Sequence, residues 1–255
     1  DEATKTLTIL RDIPDYGAHS YEGARPYEAY TKQTQRIVVA EGVEYIGDYA
    51  FAGFSSLLSF GPAGTPDGEG IVDIPFVGTG AFQAVKGIKK YTFTENAESF
   101  SASLYNCGTL ESVVIKNIPE TGTFGFSPYY PIGNSQTVVE NMYIQDPDGV
   151  IGKENIGNSW SGIRSLTIHV KQILGMFYSN DLETLTVEAA ESIPANWIEF
   201  ANSLTSVTIG DGVGSVEDFA FQDCFGIESL TISEKTKLGY SNIFAKFPYL
   251  VERME

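Results

Sequence analysis

The chain repeats itself, and no other feature narrows its fold so far. Ile37 to Leu57 reads Ile-Val-Val-Ala-Glu-Gly-Val-Glu-Tyr-Ile-Gly-Asp-Tyr-Ala-Phe-Ala-Gly-Phe-Ser-Ser-Leu. Far downstream, Val207 to Ile227 reads Val-Thr-Ile-Gly-Asp-Gly-Val-Gly-Ser-Val-Glu-Asp-Phe-Ala-Phe-Gln-Asp-Cys-Phe-Gly-Ile. An Ala-Phe pair stands at Ala50-Phe51, Ala81-Phe82 and Ala220-Phe221. Each is followed by an apolar residue three places on (Phe54, Val85, Cys224) and another three beyond that (Leu57, Ile88, Ile227). Ser103-Leu104 with Cys107 and Leu110, and Ile243-Phe244 with Phe247 and Leu250, keep the same frame. Weaker copies run from Met176-Phe177 to Leu182 and from Ile198 through Ala201 to Leu204. The closing residues Leu57, Ile88, Leu110, Ile163, Leu182, Leu204, Ile227 and Leu250 are separated by 31, 22, 53, 19, 22, 23 and 23 positions. The basic period is therefore 22–23; the gap of 31 holds an insertion, and the gap of 53 holds two coils and an insertion.

Each repeat opens with an alternating run: Leu166-Thr-Ile168, Leu185-Thr-Val187, Val207-Thr-Ile209, Leu230-Thr-Ile232. Apolar residues at i and i+2 with a β-branched residue between them read as a strand with one buried face. A turn rich in Gly, Asp and Glu follows, then a second short apolar pair (Val43 and Ile46; Val213 and Val216). The Ala-Phe segment, apolar about every third residue, predicts one helical or 3₁₀ turn. A unit this short cannot bury its apolar side alone, but stacked copies can. The expected fold is an α/β repeat solenoid, with Phe51, Phe82, Phe221 and Phe244 forming a core stack.

The pattern resembles the BspA-like leucine-rich repeat family, closest in Ile37–Leu57 and Val207–Ile227, where Val-x-x-Ile-Gly-x-x-Ala-Phe and Val-x-x-Val-x-x-x-Ala-Phe stand nearly intact. The resemblance implies a leucine-rich-repeat solenoid over residues 35–255, with insertions near 61–70 and 117–141. It also implies an N-terminal cap over residues 1–34, seen in Leu7-Thr-Ile9, Ile13-Pro-Asp-Tyr16 and Pro26-Tyr-Glu-Ala-Tyr30. Members of this family are typically bacterial secreted or surface-attached proteins linked to adhesion. The resemblance therefore implies an extracellular or cell-surface location and a host or neighbouring-cell protein or glycan as partner. The first residue is Asp1 rather than Met, which points to a removed leader or to a fragment.

Composition narrows the partners further. With 16 Lys and Arg against 33 Asp and Glu, the net charge is −17, which disfavours nucleic acid and anionic membrane surfaces. No apolar run reaches the ~20 residues of a membrane-spanning helix, so no insertion of this segment into a membrane is expected. A monomer is expected, and no cofactor. The 2 cysteines, Cys107 and Cys224, lie several coils apart at the position of Phe54, so both are expected as buried free thiols.

Candidate binding residues fall in two places. Thr92, Thr167, Thr186, Thr208 and Thr231 lie between the inward strand residues, and Lys90, Ser165, Thr184, Ser206 and Ser229 lie two positions earlier. These side chains point outward. Small hydroxyls avoid the repulsion that stacked like charges would create, and that alone accounts for them structurally. The functional reading adds a hydrogen-bonding platform, with Ser165, Thr167, Thr184, Thr186, Ser206 and Thr208 as its candidate residues. The second place is the insertion containing Phe124-Gly-Phe-Ser-Pro-Tyr-Tyr-Pro131. There Tyr129 and Tyr130 either form a stiff aromatic patch on the binding side or fold back over a degenerate coil.

Catalytic patterns are sparse. The 2 histidines, His19 and His169, form no His-Glu-x-x-His, and there is no Cys-x-x-Cys. Gly210-Asp-Gly-Val-Gly214 sits in a repeat turn with no long helix after it. In Asp146-Pro-Asp-Gly149 the next calcium-ligand positions are the apolar Val150 and Ile151. The expected function is a non-catalytic binding or adhesion module. The alternatives are a structural spacer within a larger surface protein, and a glycan-active hydrolase using unrecognised carboxylates.

Overall fold

In the computed structural model, residues 1–17, 25–100, 103–119, 137–152, 162–177 and 179–239 are described. The alternating runs become strands, in chain order β1 (Thr6–Ile9), β2 (Arg36–Val39), β3 (Tyr45–Ile46), β4 (Ser59–Gly61), β5 (Glu69–Val72), β6 (Phe76–Val77), β7 (Lys90–Phe93) and β8 (Gly108–Ile115). They continue as β9 (Thr137–Ile151), β10 (Ile163–Ile173), β11 (Thr184–Ala190), β12 (Ser206–Val213), β13 (Ser215–Val216), β14 (Ser229–Ile232) and β15 (Lys237–Leu238). Eleven of them form one sheet in chain order, β1-β2-β4-β5-β7-β8-β9-β10-β11-β12-β14. Every pairing in it is parallel. Consecutive neighbours in parallel register are what a coiling chain must produce, since each turn returns the strand to the same side one rung on.

Towards both ends of the stack a second side of the coils is closed by short parallel pairs, β3 with β6 and β13 with β15, extended by the bridges Ile13–Ile46, Phe76–Ser99 and Ile193–Val216. The fold is thus a parallel β-solenoid. Its inward strand residues make one continuous core: Ile37, Phe60, Tyr91, Val113, Met142, Leu166, Leu185 and Val207 are each at most 1% exposed. Phe51, Phe82 and Phe221 are each at most 2% exposed, and Phe51 and Phe82 stack with ring centroids 6.0 Å apart. Phe244 lies outside the described residues.

The third side corrects the expectation of a helical turn and with it the α/β class. Among the described residues the only helix is the 3₁₀ turn Glu28–Tyr30. At the Ala-Phe corner the backbone N–H groups alternate in direction. Those of Tyr49, Phe51 and Gly53 donate to the next coil at the carbonyls of Thr79, Ala81 and Gln83 (2.9, 2.8 and 2.8 Å). Those of Ala50, Ala52 and Phe54 turn back to Gly47, Tyr49 and Phe51. A helix cannot form because two residues of the turn are left-handed. The residue before the Ala-Phe pair has φ of 56° at Tyr49, 63° at Gly80 and 60° at Phe219, and 52° at Asn196 in the equivalent place. The residue two after the Phe position has φ of 75° at Gly53, 61° at Ala84, 55° at Asn106, 56° at Phe200 and 56° at Asp223. A side chain in that region costs ~1–2 kcal/mol; the inter-coil hydrogen bonds and the buried Ala and Phe offset it.

Both insertions are smaller than the sequence implies. Gly61, Glu69 and Gly70 belong to strands; only 62–68 forms a loop, and it folds the chain back so that one coil contributes both β4 and β5 to the sheet. Gly70 is required there, because a Cβ would meet the Tyr91 ring at 2.7 Å. Likewise 137–141 is not insertion but the start of β9, in register with β8 from Thr137 opposite Gly108. The gap of 53 therefore does contain one further strand.

At the N-terminal end, a side chain does what backbone N–H groups do elsewhere. The first Ala-Phe corner presents the carbonyls of Asp48, Ala50 and Ala52, which in the next coil (Thr79, Ala81, Gln83) accept from the coil before. Here the Tyr16 N–H donates to Asp48 O (2.9 Å). Arg25 Nη1 reaches Ala52 O at 2.7 Å and Tyr49 O and Ala50 O at 3.2 Å. Tyr27 Oη also donates to Ala50 O (3.0 Å). Arg25 is only 4% exposed, pairs through Nε with Glu28 (2.7 Å) and lies 5.6 Å over the Phe54 ring. Its fixed fork of donors suits a row of carbonyls better than a lysine point charge would.

Candidate functional site

The outward face of the sheet is built by register. Ser165, Thr184, Ser206 and Ser229 are direct partners in successive strands, and so are Thr167, Thr186, Thr208 and Thr231. The alternation that buries Leu166 and Ile168 turns Ser165 and Thr167 to the outside. Within each column successive side chains lie one strand spacing apart along the stack, ~4.8 Å. Thr184, Ser229 and Thr231 are exposed; Ser165, Thr167, Thr186, Ser206 and Thr208 are half-buried between neighbouring rungs. None of the six candidate hydroxyls makes a hydrogen bond within the described protein, so their donors and acceptors face solvent.

Towards the N-terminal end the same columns change character. Asn141 and Tyr143 of β9 pair with Ser165 and Thr167, and Ser112 and Val114 of β8 pair with Asn141 and Tyr143. Tyr143 therefore stands in the threonine column at the middle of the face, half-buried. Sequence reasoning missed it, although Met142-Tyr-Ile144 repeats the Leu-Thr-Ile alternation with Tyr in the Thr place. Tyr129 and Tyr130 lie outside the described residues.

Charges at the margins of the face are paired. Arg164 meets Glu140 at 3.3 Å, Lys90 meets Glu111 at 3.8 Å, Lys116 meets Glu95 at 3.2 Å and Arg36 meets Asp67 at 2.9 Å. Such exposed pairs contribute ~0–1 kcal/mol each. His169 Nδ1 sits 3.7 Å from Glu188 beside the hydroxyl columns, with both side chains about half exposed (44% and 50%).

Elsewhere acids serve the fold. Asp15 Oδ1 accepts from the Asp48 N–H (3.0 Å) and Asp48 Oδ1 from the Thr79 N–H (2.7 Å), tying three coils together. Burial raises the Asp48 carboxyl above its ordinary value, against the lowering effect of the Thr79 hydrogen bond. Asp146 Oδ2 accepts from the Ile118 N–H (2.9 Å), and Asp146-Pro-Asp-Gly149 is part of β9 rather than a calcium loop. Among the described residues no three His, Cys, Asp or Glu side chains are grouped so as to hold a metal ion, and no helix is long and apolar enough to cross a membrane.

Both cysteines are free and buried. Each thiol donates to the carbonyl at the Phe position of the preceding coil: Cys107 to Phe82 (3.2 Å) and Cys224 to Ile198 (3.5 Å). Burial pushes Cys107 up to about 12 and Cys224 up to about 11. Neither is a nucleophile at neutral pH.

A known family matches most of the chain. The family described as BspA type leucine-rich repeat region matches in 6 copies, over residues 26–143 and 174–252. Among solved structures, a leucine-rich repeat protein from Bacteroides ovatus ATCC 8483 is similar, with 16% identity and a TM-score of 0.32 over 94% of this chain and 84% of that one. No curated protein matches.

Proposed function

The chain belongs to the BspA-type leucine-rich repeat family, and from that premise we propose that it is a non-catalytic binding module, secreted or displayed on a bacterial surface, that holds a partner against the outward face of its sheet. The observation that carries this reading is the pair of in-register hydroxyl columns from Ser165 and Thr167 to Ser229 and Thr231. They offer donors and acceptors at a fixed repeat on a rigid support, with no hydrogen bond among the described residues to compete. Tyr143 and Asn141 continue the columns with an aromatic face and an amide. An extended parallel sheet suits recognition spread over many weak contacts rather than one deep site. The reading also fits the buried, protonated thiols and the carboxylates already engaged with backbone N–H groups. The experiment is an array of host proteins and glycans probed at micromolar concentration, followed by product analysis of anything bound. Binding without turnover supports the module. Cleavage of a bound glycan, or no binding at all, contradicts it.

A further inference from the structure

From β8 to β14 the two outward columns hold 12 residues, two in each of six strands, running from Ser112 and Val114 to Ser229 and Thr231. None of them is charged, in a chain where 19% of residues are. Tyr143 is their one aromatic residue, half-buried between Val114 and Thr167. Asn141 donates one amide hydrogen to Glu111 O (3.2 Å) and keeps its remaining groups for a visitor. The surface therefore combines a ring, a short aliphatic neighbour and a long run of small hydroxyls.

That composition discriminates between kinds of ligand. Ser, Thr and Val are under-represented among the residues that anchor protein partners. A sugar is different, because each pyranose has an apolar C–H face that packs on an aromatic ring and a rim of hydroxyls that both donate and accept. Ser and Thr hydroxyls do the same. An extended glycan also advances by about one rung spacing (~4.8 Å) per sugar, so successive units can meet successive strands.

The margins select the charge of the chain. One residue ahead of the first column stand four acids (Glu111, Glu140, Glu183 and Glu228), Thr205 and one cation, Arg164. Arg164 meets Glu140 at 3.3 Å, and Lys90 of the neighbouring rung meets Glu111 at 3.8 Å. Glu183 and Glu228 form no ion pair among the described residues. Beyond the second column Lys116 meets Glu95, His169 meets Glu188 and Lys235 meets Asp211. A uronate or sulfate would thus face unpaired carboxylates at the margin and no Lys or Arg within the columns, whereas a neutral chain meets no opposing charge.

Resting on the binding role given above, we propose that the ligand of this face is a neutral, extended polysaccharide chain lying along the stack, with one sugar ring packed on Tyr143 and its neighbours hydrogen-bonded to the hydroxyl columns.

The test titrates the whole chain by calorimetry with hexasaccharides of glucose, mannose, xylose and N-acetylglucosamine, and with a hexagalacturonate as the anionic control. At least one neutral chain is expected to bind with submillimolar affinity, and the uronate ~10-fold or more weaker. Tyr143→Thr places the column's own recurring residue there and is expected to bind ~10-fold weaker, while Tyr143→Phe stays within ~3-fold of the wild type. Thr167→Val keeps the shape, removes one hydroxyl and is expected to cost ~3–10-fold; it decides the matter even where loss of the ring disturbs the rung. No binding of any neutral chain, a preference for the uronate, or wild-type affinity in both Tyr143→Thr and Thr167→Val overturns the proposal. A protein from the array that binds more weakly to Thr167→Val, with no neutral chain bound, overturns the glycan assignment and leaves the binding role standing. No ligand of any kind overturns both.

Discussion

Replacing Arg25 by Met removes the side chain that meets the carbonyl row of the first Ala-Phe corner. Three carbonyls are affected. Ala52 O loses its 2.7 Å donor, Tyr49 O loses a 3.2 Å contact, and Ala50 O keeps only the Tyr27 hydroxyl. A buried acceptor left without its partner costs ~1–3 kcal/mol. Glu28, with 29% of its side chain exposed, can turn to water once its partner is gone. Relief from burying the guanidinium, only 1% exposed, works in the other direction. The balance is a loss of about 3–5 kcal/mol, the range for removing one partner of a buried charged network. Solenoid stability is close to a sum of coil terms and neighbour terms, so the loss is expected at one end first. Native-state hydrogen exchange reads this directly: in Arg25→Met the amides of β2 (Ile37, Val38) exchange faster by ~100-fold or more, while those of β12 (Val207, Ile209) are unchanged. Arg25→Lys recovers only part of the protection, because one ammonium cannot span the row. Uniform loss along the whole chain, or no change at β2, would refute the capping argument.

Three further outcomes follow from the core. Phe221→Ala empties a ring position that is 2% exposed beside Trp197 (centroids 6.2 Å apart); a loss of ~3–5 kcal/mol should lower the melting temperature by ~10 °C, and a shift under ~1 °C contradicts the placement. Tyr91 is fully buried and its hydroxyl has no hydrogen-bond partner, so Tyr91→Phe should raise the unfolding free energy in urea by ~1 kcal/mol; a loss of that size would show that the hydroxyl is satisfied. The thiols set an alkaline limit. Because folding raises Cys107 to about 12 and Cys224 to about 11, the stability tied to the neutral thiols is complete below the unfolded value of ~8.5 and is lost as pH rises through the folded values. Urea midpoints should therefore fall between pH ~8 and ~10.5 less steeply in Cys107→Ala, Cys224→Ala than in the wild type; equal slopes would mean the thiols ionise freely.

Much of this architecture can be read from the residues, and the parts that cannot have identifiable causes. Alternation such as Leu166-Thr-Ile168 marks both the buried and the outward side of each rung, so the hydroxyl columns follow from period and register alone. The corner misleads because Phe51, Phe54 and Leu57 recur every third residue as they would in a helix. What forbids the helix is backbone handedness at Tyr49, Phe200 and Phe219, residues whose identity gives no warning of it. The split coil at β4 and β5 was hidden by its glycines, which read as a loop although Gly70 is demanded by the Tyr91 ring. Tyr143 escaped notice beside an insertion that breaks the period, and Arg25 because a single cap residue leaves no repeat to detect.

The central claim is that the outward hydroxyl columns hold the partner. It is tested most directly by giving that face a stacked charge, as Thr167→Lys, Thr186→Lys and Thr208→Lys together, and measuring the affinity for whatever the array of proteins and glycans selects. The expected variant keeps its circular dichroism and cooperative melting but binds weaker by ~100-fold or more, the loss of about two good contacts. A folded variant that binds with wild-type affinity would contradict the account and move recognition to another surface.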